Sequence, residues 1–360
     1  MSTIQAYAPG RAELLGNHTD YNEGLVLSMA LNCGTFLKGE KKPGRNLILH
    51  AKDLQESFTT SLDALKPQTE KTWTNYVIGV AARLQEKGVQ LGGAEIDISS
   101  TLPMGAGLSS SAALEISTAL FLKRAYPFEM TSIDLVKVAQ WAEHHYSGVK
   151  CGLLDQISSL MSKDQHVTFI DCRSYEVKNF AVPEKAVFVM VNSGVKHALV
   201  TGEYNERRES CEEAARLLGV PFLRDVSPEQ LEAARDKLPG RAYHRARHVV
   251  YENDRVQKAV KALQTGDLET MGRLMLASHE SSIRDFENSC PELDALVKWA
   301  SETQGCYGAR LSGGGFGGAT INLVDRDHTE NFVEAIAVKY EATYKIKPLV
   351  LVSPPSAGAE

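Results

Sequence analysis

The sequence has little that would suit a secreted, membrane-bound or nucleic-acid-bound protein. Its six cysteines, at 33, 151, 172, 211, 290 and 306, form no C-x-x-C pair and no cluster. They therefore read as free thiols in a reducing compartment, not as a disulfide frame or a zinc site. No apolar run approaches the roughly 18–20 residues that a membrane helix needs; Val187–Val191 is short. The first residues, Met1-Ser2-Thr3-Ile4-Gln5-Ala6-Tyr7, lack a charged-then-apolar leader, so a cytoplasmic location is expected. Asn17-His18-Thr19 matches a glycosylation acceptor, and without such a leader the match reads as accidental. Basic charge is in deficit, with 39 Lys and Arg against 45 Asp and Glu, a net −6 over 360 residues. That argues against nucleic acid or an anionic membrane as the main partner. There is no internal repeat and no low-complexity segment. No Gly-Lys dipeptide occurs, so the lysine of a P-loop is missing.

What remains is ordinary globular material, 43% hydrophobic and 23% charged, enough for about two domains. The reading divides it into 1–175 and 176–360, with an indistinct linker near 172–186. Ala94, Ile96 and Ile98 alternate as one face of a strand, and so do Ala319, Ile321 and Leu323. Val187–Val191 reads as a strand buried on both faces. Cys211, Ala214, Ala215 and Leu218 follow helical spacing, and Ser111–Leu122 reads as a buried helix. Strands and helices are interspersed, so the class is mixed α/β or α+β.

Glycine is not abundant, 28 of 360, but it is concentrated. Pro103-Met104-Gly105-Ala106-Gly107 precedes Leu108-Ser109-Ser110-Ser111 and an apolar helix. Two readings compete evenly there. One is a helix with an ordinary serine cap. The other is a backbone cradle for phosphate at a positive helix end, with a serine hydroxyl free for magnesium. The second cluster, Gly313-Gly314-Gly315-Phe316-Gly317-Gly318, formally matches G-x-G-x-x-G, but a strand pattern follows it and only 42 residues remain. A dinucleotide fold is excluded by that context, and a loop pressed against a ligand or the first glycine loop is expected. The polar run Arg11, Asn17, His18, Asp20 and Asn22 is either a solvated loop or a site for a polar ligand. Asp155 is one acid in an apolar stretch, open to a capping or a functional reading. Glu143-His144-His145 places two histidines on different helix faces, which argues against a shared metal. The basic run Arg241, His244, Arg245, Arg247 and His248 reads as a solvated helix face.

In this order, Pro9-Gly10-Arg11…His18-Thr19-Asp20-Tyr21-Asn22, Gly107-Leu108-Ser109-Ser110-Ser111-Ala112-Ala113-Leu114-Glu115 and Leu311-Ser312-Gly313-Gly314-Gly315-Phe316-Gly317-Gly318 resemble the three motifs of the GHMP kinase family. The closest likeness is to its galactose-phosphorylating members, and it runs from about residue 7 to 324. The resemblance implies a two-domain α+β fold. Its N-terminal domain would be ribosomal-protein-S5-like and its C-terminal domain ferredoxin-like, with the active site in the cleft. It implies transfer of the ATP γ-phosphoryl to the anomeric hydroxyl of a galactose-type sugar. By that likeness Asp155 meets the hydroxyl and Arg11 offsets charge beside it. Asn17, His18, Asp20, Gly152 and Tyr204 would line the sugar. Gly105, Gly107, Ser109 and Ser110 would form the phosphate loop, and Trp73 would lie near adenine. Ser111 and Glu143 would hold Mg2+. The partners would be the sugar and MgATP, with a monomer as the default and the oligomeric state open. One residue departs: the family motif usually has Glu where this chain has Asn17. Either this is drift, or the lost negative charge admits a 6-carboxylate such as galacturonate. A silent sugar- and ATP-binding regulator is the reading from another class, and the presence of Arg11, Asp155, Ser111 and Glu143 favours the enzyme.

Overall fold

The alternating segments resolve into two sheets with helices packed between and over them. The computed structural model describes residues 3–103, 107–196 and 200–360. The first sheet uses β1 (Ile4–Leu15), β2 (Leu25–Lys42), β3 (Asn46–Ala51), β4 (Glu56–Ser61), β5 (Gly93–Ser100), β6 (His166–Asp171) and β7 (Glu176–Ala181). Four helices accompany it: α1 (Thr74–Glu86), α2 (Ser110–Ala125), α3 (Ser132–Ala142) and α4 (Leu154–Met161). β2 is its spine. It pairs with β1 along most of its length, with β5 through Thr35–Lys42 and with β6 through Leu25–Ser28. β3 joins β5 in parallel and the other pairs are antiparallel. Ala94, Ile96 and Ile98 all point to the buried face of β5, as their alternation predicts.

The second sheet is antiparallel, in the order β11-β8-β10-β9, with β8 (Ala186–Lys196), β9 (Cys306–Ser312), β10 (Gly317–Asp325) and β11 (Leu349–Ser353). Around it lie α5 (Val200–Leu218), α6 (Pro228–Ala233), α7 (Gly240–Thr265), α8 (Leu268–Ser281), α9 (Pro291–Glu302) and α10 (Thr329–Tyr344). β8 shows why a near-continuous apolar run reads as doubly buried. Val187, Val189 and Val191 pack with Leu296, Phe332 and Ile336 of α9 and α10. Phe188 and Met190 face the other way, into a core that also holds Met271 of α8 and Leu27 of β2. That core joins the two halves beneath the cleft between them. The resemblance's two-domain α+β architecture is the one observed.

Two expectations need correction. A division at 175/176 falls inside the β6–β7 hairpin, because β7 pairs with β6 and belongs to the first sheet. The chain changes sheets between Ala181 and Ala186. The Arg241–His248 run is a solvated face only in part. Arg241 and His244 are exposed, but Arg245 and His248 are buried. Arg245 pairs with Glu287 at 2.5 Å, and His248 Nε2 lies 3.1 Å from the Asn17 carbonyl.

α8 lies on β9 with almost no side chain between them: a Cβ on Gly272 would fall 1.9 Å from the Tyr307 carbonyl oxygen. This close approach seats Ser278 of α8 and Arg310 of β9 beneath the cleft. Gly272→Ala must part helix and strand, and we expect a loss of about 1–3 kcal/mol, read as a lowered urea midpoint at unchanged slope.

Candidate active site

The site begins with an irregularity in β1. Its register against β2 shifts between Pro9 and Arg11 and again between Glu13 and Leu15, and such bulges re-aim side chains. Between the shifts the strand is regular, so Arg11 and Glu13, two residues apart, share a face. Both line a cavity of about 270 Å³ together with Asn17, His18, Asp20, Glu143, Gly152, Asp155, Tyr204, Gly313 and Gly314.

Arg11 grips Asp155 on α4 as a two-pronged fork, Nε to Oδ1 at 2.7 Å and Nη2 to Oδ2 at 2.8 Å. Its remaining arm, Nη1, donates to the Gly107 carbonyl at 2.8 Å. Ser109 donates its hydroxyl to Asp155 Oδ2 as well. Ser109 is held at φ 57°, left-handed for a residue that has a Cβ, immediately before α2 begins. Such a conformation persists only where its surroundings enforce it. Here the fork and the Asp155 contact do so.

Three cavities follow one another. The first is the 270 Å³ cavity above. The second, about 250 Å³, is lined by Gly107, Ser109, Ser110 and Ser111, and shares Arg11, Asp155 and Gly314 with the first. The third, about 410 Å³, shares Ser110 and Ser111 with the second and is otherwise mostly apolar, with Trp73, Tyr76, Ile98, Leu102 and Leu114. The Trp73 indole donates to Glu56 Oε2 at 2.7 Å, which holds its ring in place. The second cavity opens at the positive end of α2. The glycine-rich 313–318 loop closes over it as expected: a Cβ on Gly313 would come within 3.3 Å of the Gly107 carbonyl.

Acidic groups crowd the first cavity. Burial, with the charges of Asp155 and Glu13 added, pushes the Asp20 carboxyl up to about 7; Arg208 opposes this. Burial and the charge of Asp155 push Glu143 up to about 7 as well, and Ser111, Cys151 and Gln156 donate to it. Burial and Glu143 raise Glu115 well above the ordinary range, and its Oε1 has no partner among the described residues. No three His, Cys, Asp or Glu side chains among the described residues converge on one point. The deficit of positive charge around Glu143 and Ser111 nonetheless suits a divalent cation that takes only one carboxylate from the protein and the rest from phosphate and water.

Burial holds His18 neutral, down to about 3. Its Nε2 is 3.1 Å from the Gly314 carbonyl and its Nδ1 2.7 Å from the Tyr21 hydroxyl, so both nitrogens are spent on the protein and the ring contributes a wall. Asn17 is likewise engaged. Its Nδ2 donates to Gly313 O at 2.8 Å and to Glu13 Oε1 at 3.0 Å, and its Oδ1 accepts from Asn288 at 2.9 Å.

The structure thus brings Arg11, Asp155, Asn17, His18, Asp20, Gly152, Tyr204 and Glu143 around one cavity and Gly107, Ser109, Ser110 and Ser111 around the next, with Trp73 in the third. Gly105 lies outside the described residues. Sequence reasoning missed Glu13, Arg310, Asn288 and Glu252. Arg310 and Glu13, both buried, pair at 2.8 Å. Glu252 accepts from the Gly16 and Asn17 backbone at 2.9 and 3.3 Å. Burial would raise Glu252, but Arg255 and Arg310 outweigh it and hold the carboxyl far below its usual range. Only Glu13 had a signal in the sequence, its two-residue spacing from Arg11.

A nucleotide-sized apolar cavity, an anion cradle at a helix start and a polar pocket sharing an Arg–carboxylate pair define a phosphotransferase site of the GHMP kind. The models of the GHMP kinase N-terminal and C-terminal domains match residues 75–163 and 259–342, and the galactokinase galactose-binding signature matches residues 2–40. A galactokinase of Haemophilus influenzae is 43% identical over 99% of this chain and 94% of its own length. One of Chloroflexus aurantiacus is 40% identical over 96% of this chain and 90% of its own. The crystal structure of Lactococcus lactis galactokinase complexed with galactose superposes with a TM-score of 0.96 at 30% identity, covering 100% of this chain and 95% of that one. Methanococcus jannaschii mevalonate kinase shares the fold, with a TM-score of 0.68. The chain belongs to the GHMP kinases, and within them to the galactokinase family.

The crowding of acids is testable without ligand. The Asp20 carboxyl should titrate near pH 7 by carbon-detected NMR, and Asp155→Asn should move that midpoint down. A midpoint near 4 in the unmodified protein would contradict the arrangement.

Proposed function

We propose that the protein transfers the γ-phosphoryl group of ATP to the anomeric hydroxyl of D-galactose, giving galactose 1-phosphate and ADP, the step that commits galactose to breakdown. One observation carries this reading: Arg11 and Asp155 line both the polar cavity and the phosphate-sized one, so a group held in either meets the same pair. The galactose-binding signature over residues 2–40 and the galactose complex of the Lactococcus lactis protein support galactose as the occupant of the polar cavity.

In this reading Asp155 accepts the hydrogen of the anomeric hydroxyl and aims its oxygen at the γ-phosphorus. A bond forms from that oxygen to phosphorus, and the bond from phosphorus to the ADP oxygen breaks. Arg11 fixes the plane of the Asp155 carboxylate and offsets charge on the transferred group. Positioning and electrostatics of this kind supply most of what phosphoryl transfer asks of a protein. Gly107, Ser109 and Ser110 surround the phosphates, and Trp73 walls the adenine. Asp20 accepts sugar hydroxyls, and Tyr204 and the His18 ring form apolar walls. Ser111 and Glu143 would hold Mg2+, which would supply positive charge to offset that of the phosphates. A monomer in the cytoplasm, binding no nucleic acid, completes the proposal. Among the described residues no helix is long and apolar enough to cross a membrane.

Asp155→Ala should lower kcat by about 10²–10⁴ while ATP binding, read by calorimetry, is kept. Near-normal turnover would overturn the assignment. Gly152 is small because a Cβ there would lie 2.0 Å from Asp20 Oδ2. Gly152→Ala should therefore raise the galactose KM at least tenfold with little change in the ATP KM, and equal changes in both would count against a sugar role for Asp20.

A further inference from the structure

We infer that Glu13 decides which sugar the polar cavity accepts: its Oε2 takes a hydrogen bond from a sugar hydroxyl, and its charge turns away sugars that carry a carboxylate. The inference rests on the galactose reading and adds to it the residue that replaces the motif's usual glutamate.

Asn17 Nδ2 carries two hydrogens. The shortest contacts available to them are the Gly313 carbonyl at 2.8 Å and Glu13 Oε1 at 3.0 Å, and these use both. Arg310 Nη1 also donates to Oε1, at 2.8 Å. Glu13 Oε2 is left with a shared 3.3 Å approach from the same Asn17 nitrogen and no other donor among the described residues. A carboxylate oxygen buried without a donor of its own is costly unless a ligand supplies one. Glu13 lines the cavity, and its backbone is pinned, with its N–H donating to the Ser312 hydroxyl at 3.0 Å. Arg310 and Asn17 both hold Oε1, so the carboxylate does not swing freely.

The same contacts settle the orientation of Asn17. Turned over, its Oδ1 would face the Glu13 carboxylate and the Gly313 carbonyl, oxygen against oxygen. A glutamate at 17 would set two carboxylates against each other where one amide now bridges. Asn17 and Glu13 thus form a matched pair, in which the acid has moved from the turn to the strand and the cavity keeps its negative charge. A sugar bearing a 6-carboxylate would then meet Glu13 and Asp20 together.

The test compares Glu13→Gln with the unmodified protein on galactose, galacturonate and the singly deoxygenated galactoses, with MgATP. Glu13→Gln should raise the galactose KM at least tenfold, leave the ATP KM within twofold, and raise the ratio of galacturonate to galactose in kcat/KM at least tenfold. One deoxygalactose, a poor substrate for the unmodified protein, should be handled by Glu13→Gln as well as galactose is. A folded variant with the sugar preferences unchanged would overturn the inference, however much its overall activity fell. If leaving Arg310 unpaired prevents folding, Glu13→Gln/Arg310→Met removes both buried charges and is read in the same way. Galactose binding without ATP, measured by calorimetry, reads Glu13 separately. Absent turnover in the unmodified protein would count against the kinase reading and leave the binding comparison intact.

Discussion

The site depends on the fork between Arg11 and Asp155. It ties β1 to α4, and through the Gly107 carbonyl it ties both to the segment that opens α2. Three stretches of chain, the nearest two of them 48 positions apart, are thereby held in one geometry. A single lysine could not do this, because it offers a point charge where the guanidinium offers a planar set of five donors. Removing Asp155 would break the fork and also leave Ser109 without its hydroxyl's partner.

A second layer of buried charge lies below that one. Glu13 and Arg310 form an ion pair with no solvent exposure to speak of, and Glu252 lies close by, bound by Ser278 at 2.6 Å and Arg255 at 2.5 Å. Taking such charges out of water costs several kcal/mol per ion, and the attraction does not always offset it. Two nitrogens of Arg310 have no partner among the described residues, so the pair is not optimised for stability. What it does achieve is orientation. Glu252 holds the backbone at Gly16 and Asn17, Ser312 holds Glu13, and the glycine loop is held through Asn17 and His18. The N-terminal motif and the loop at 313–318 are thus two sides of one hydrogen-bonded wall, although 296 positions separate Asn17 from Gly313.

Much of this was legible in the residues. Alternation revealed β5 and β10, a continuous apolar run revealed β8, and the glycine clusters marked where backbone approaches backbone. The serines after Gly107 were legible as one of two even readings, and Arg11 and Asp155 were singled out through the motifs that the chain shares with the GHMP kinases, not by their residue types alone. The partners that orient them were not. Arg310 reads as one more charge in a strand, and Asn288 as a loop residue, because their significance is a contact 297 and 271 positions away. The division at 175 misread the β6–β7 hairpin because Asp171-Cys172-Arg173-Ser174 has the composition of a linker. In fact it is a tight turn, in which Asp171 accepts from the backbone of Arg173 at 3.0 Å and Ser174 at 3.2 Å. His248 read as solvated because periodicity alone does not say that a helix has neighbours on both sides.

Asn17 shows most clearly how position and chemistry separate. Compared with the motif alone, it is a lost carboxylate, and a lost carboxylate invites an acidic sugar. In three dimensions its amide is consumed by Glu13, Gly313 and Asn288, leaving no donor for a ligand. The charge of the cavity is set by the sum of what lines it, and Glu13, Asp20, Glu143 and Asp155 already supply four acids against one lining cation, Arg11. A fifth acid at 17 would press directly on Glu13. With the role proposed for Glu13, asparagine suits a position beside a strand that already carries the glutamate, and the departure at 17 then follows from the residue at 13 rather than from a changed substrate.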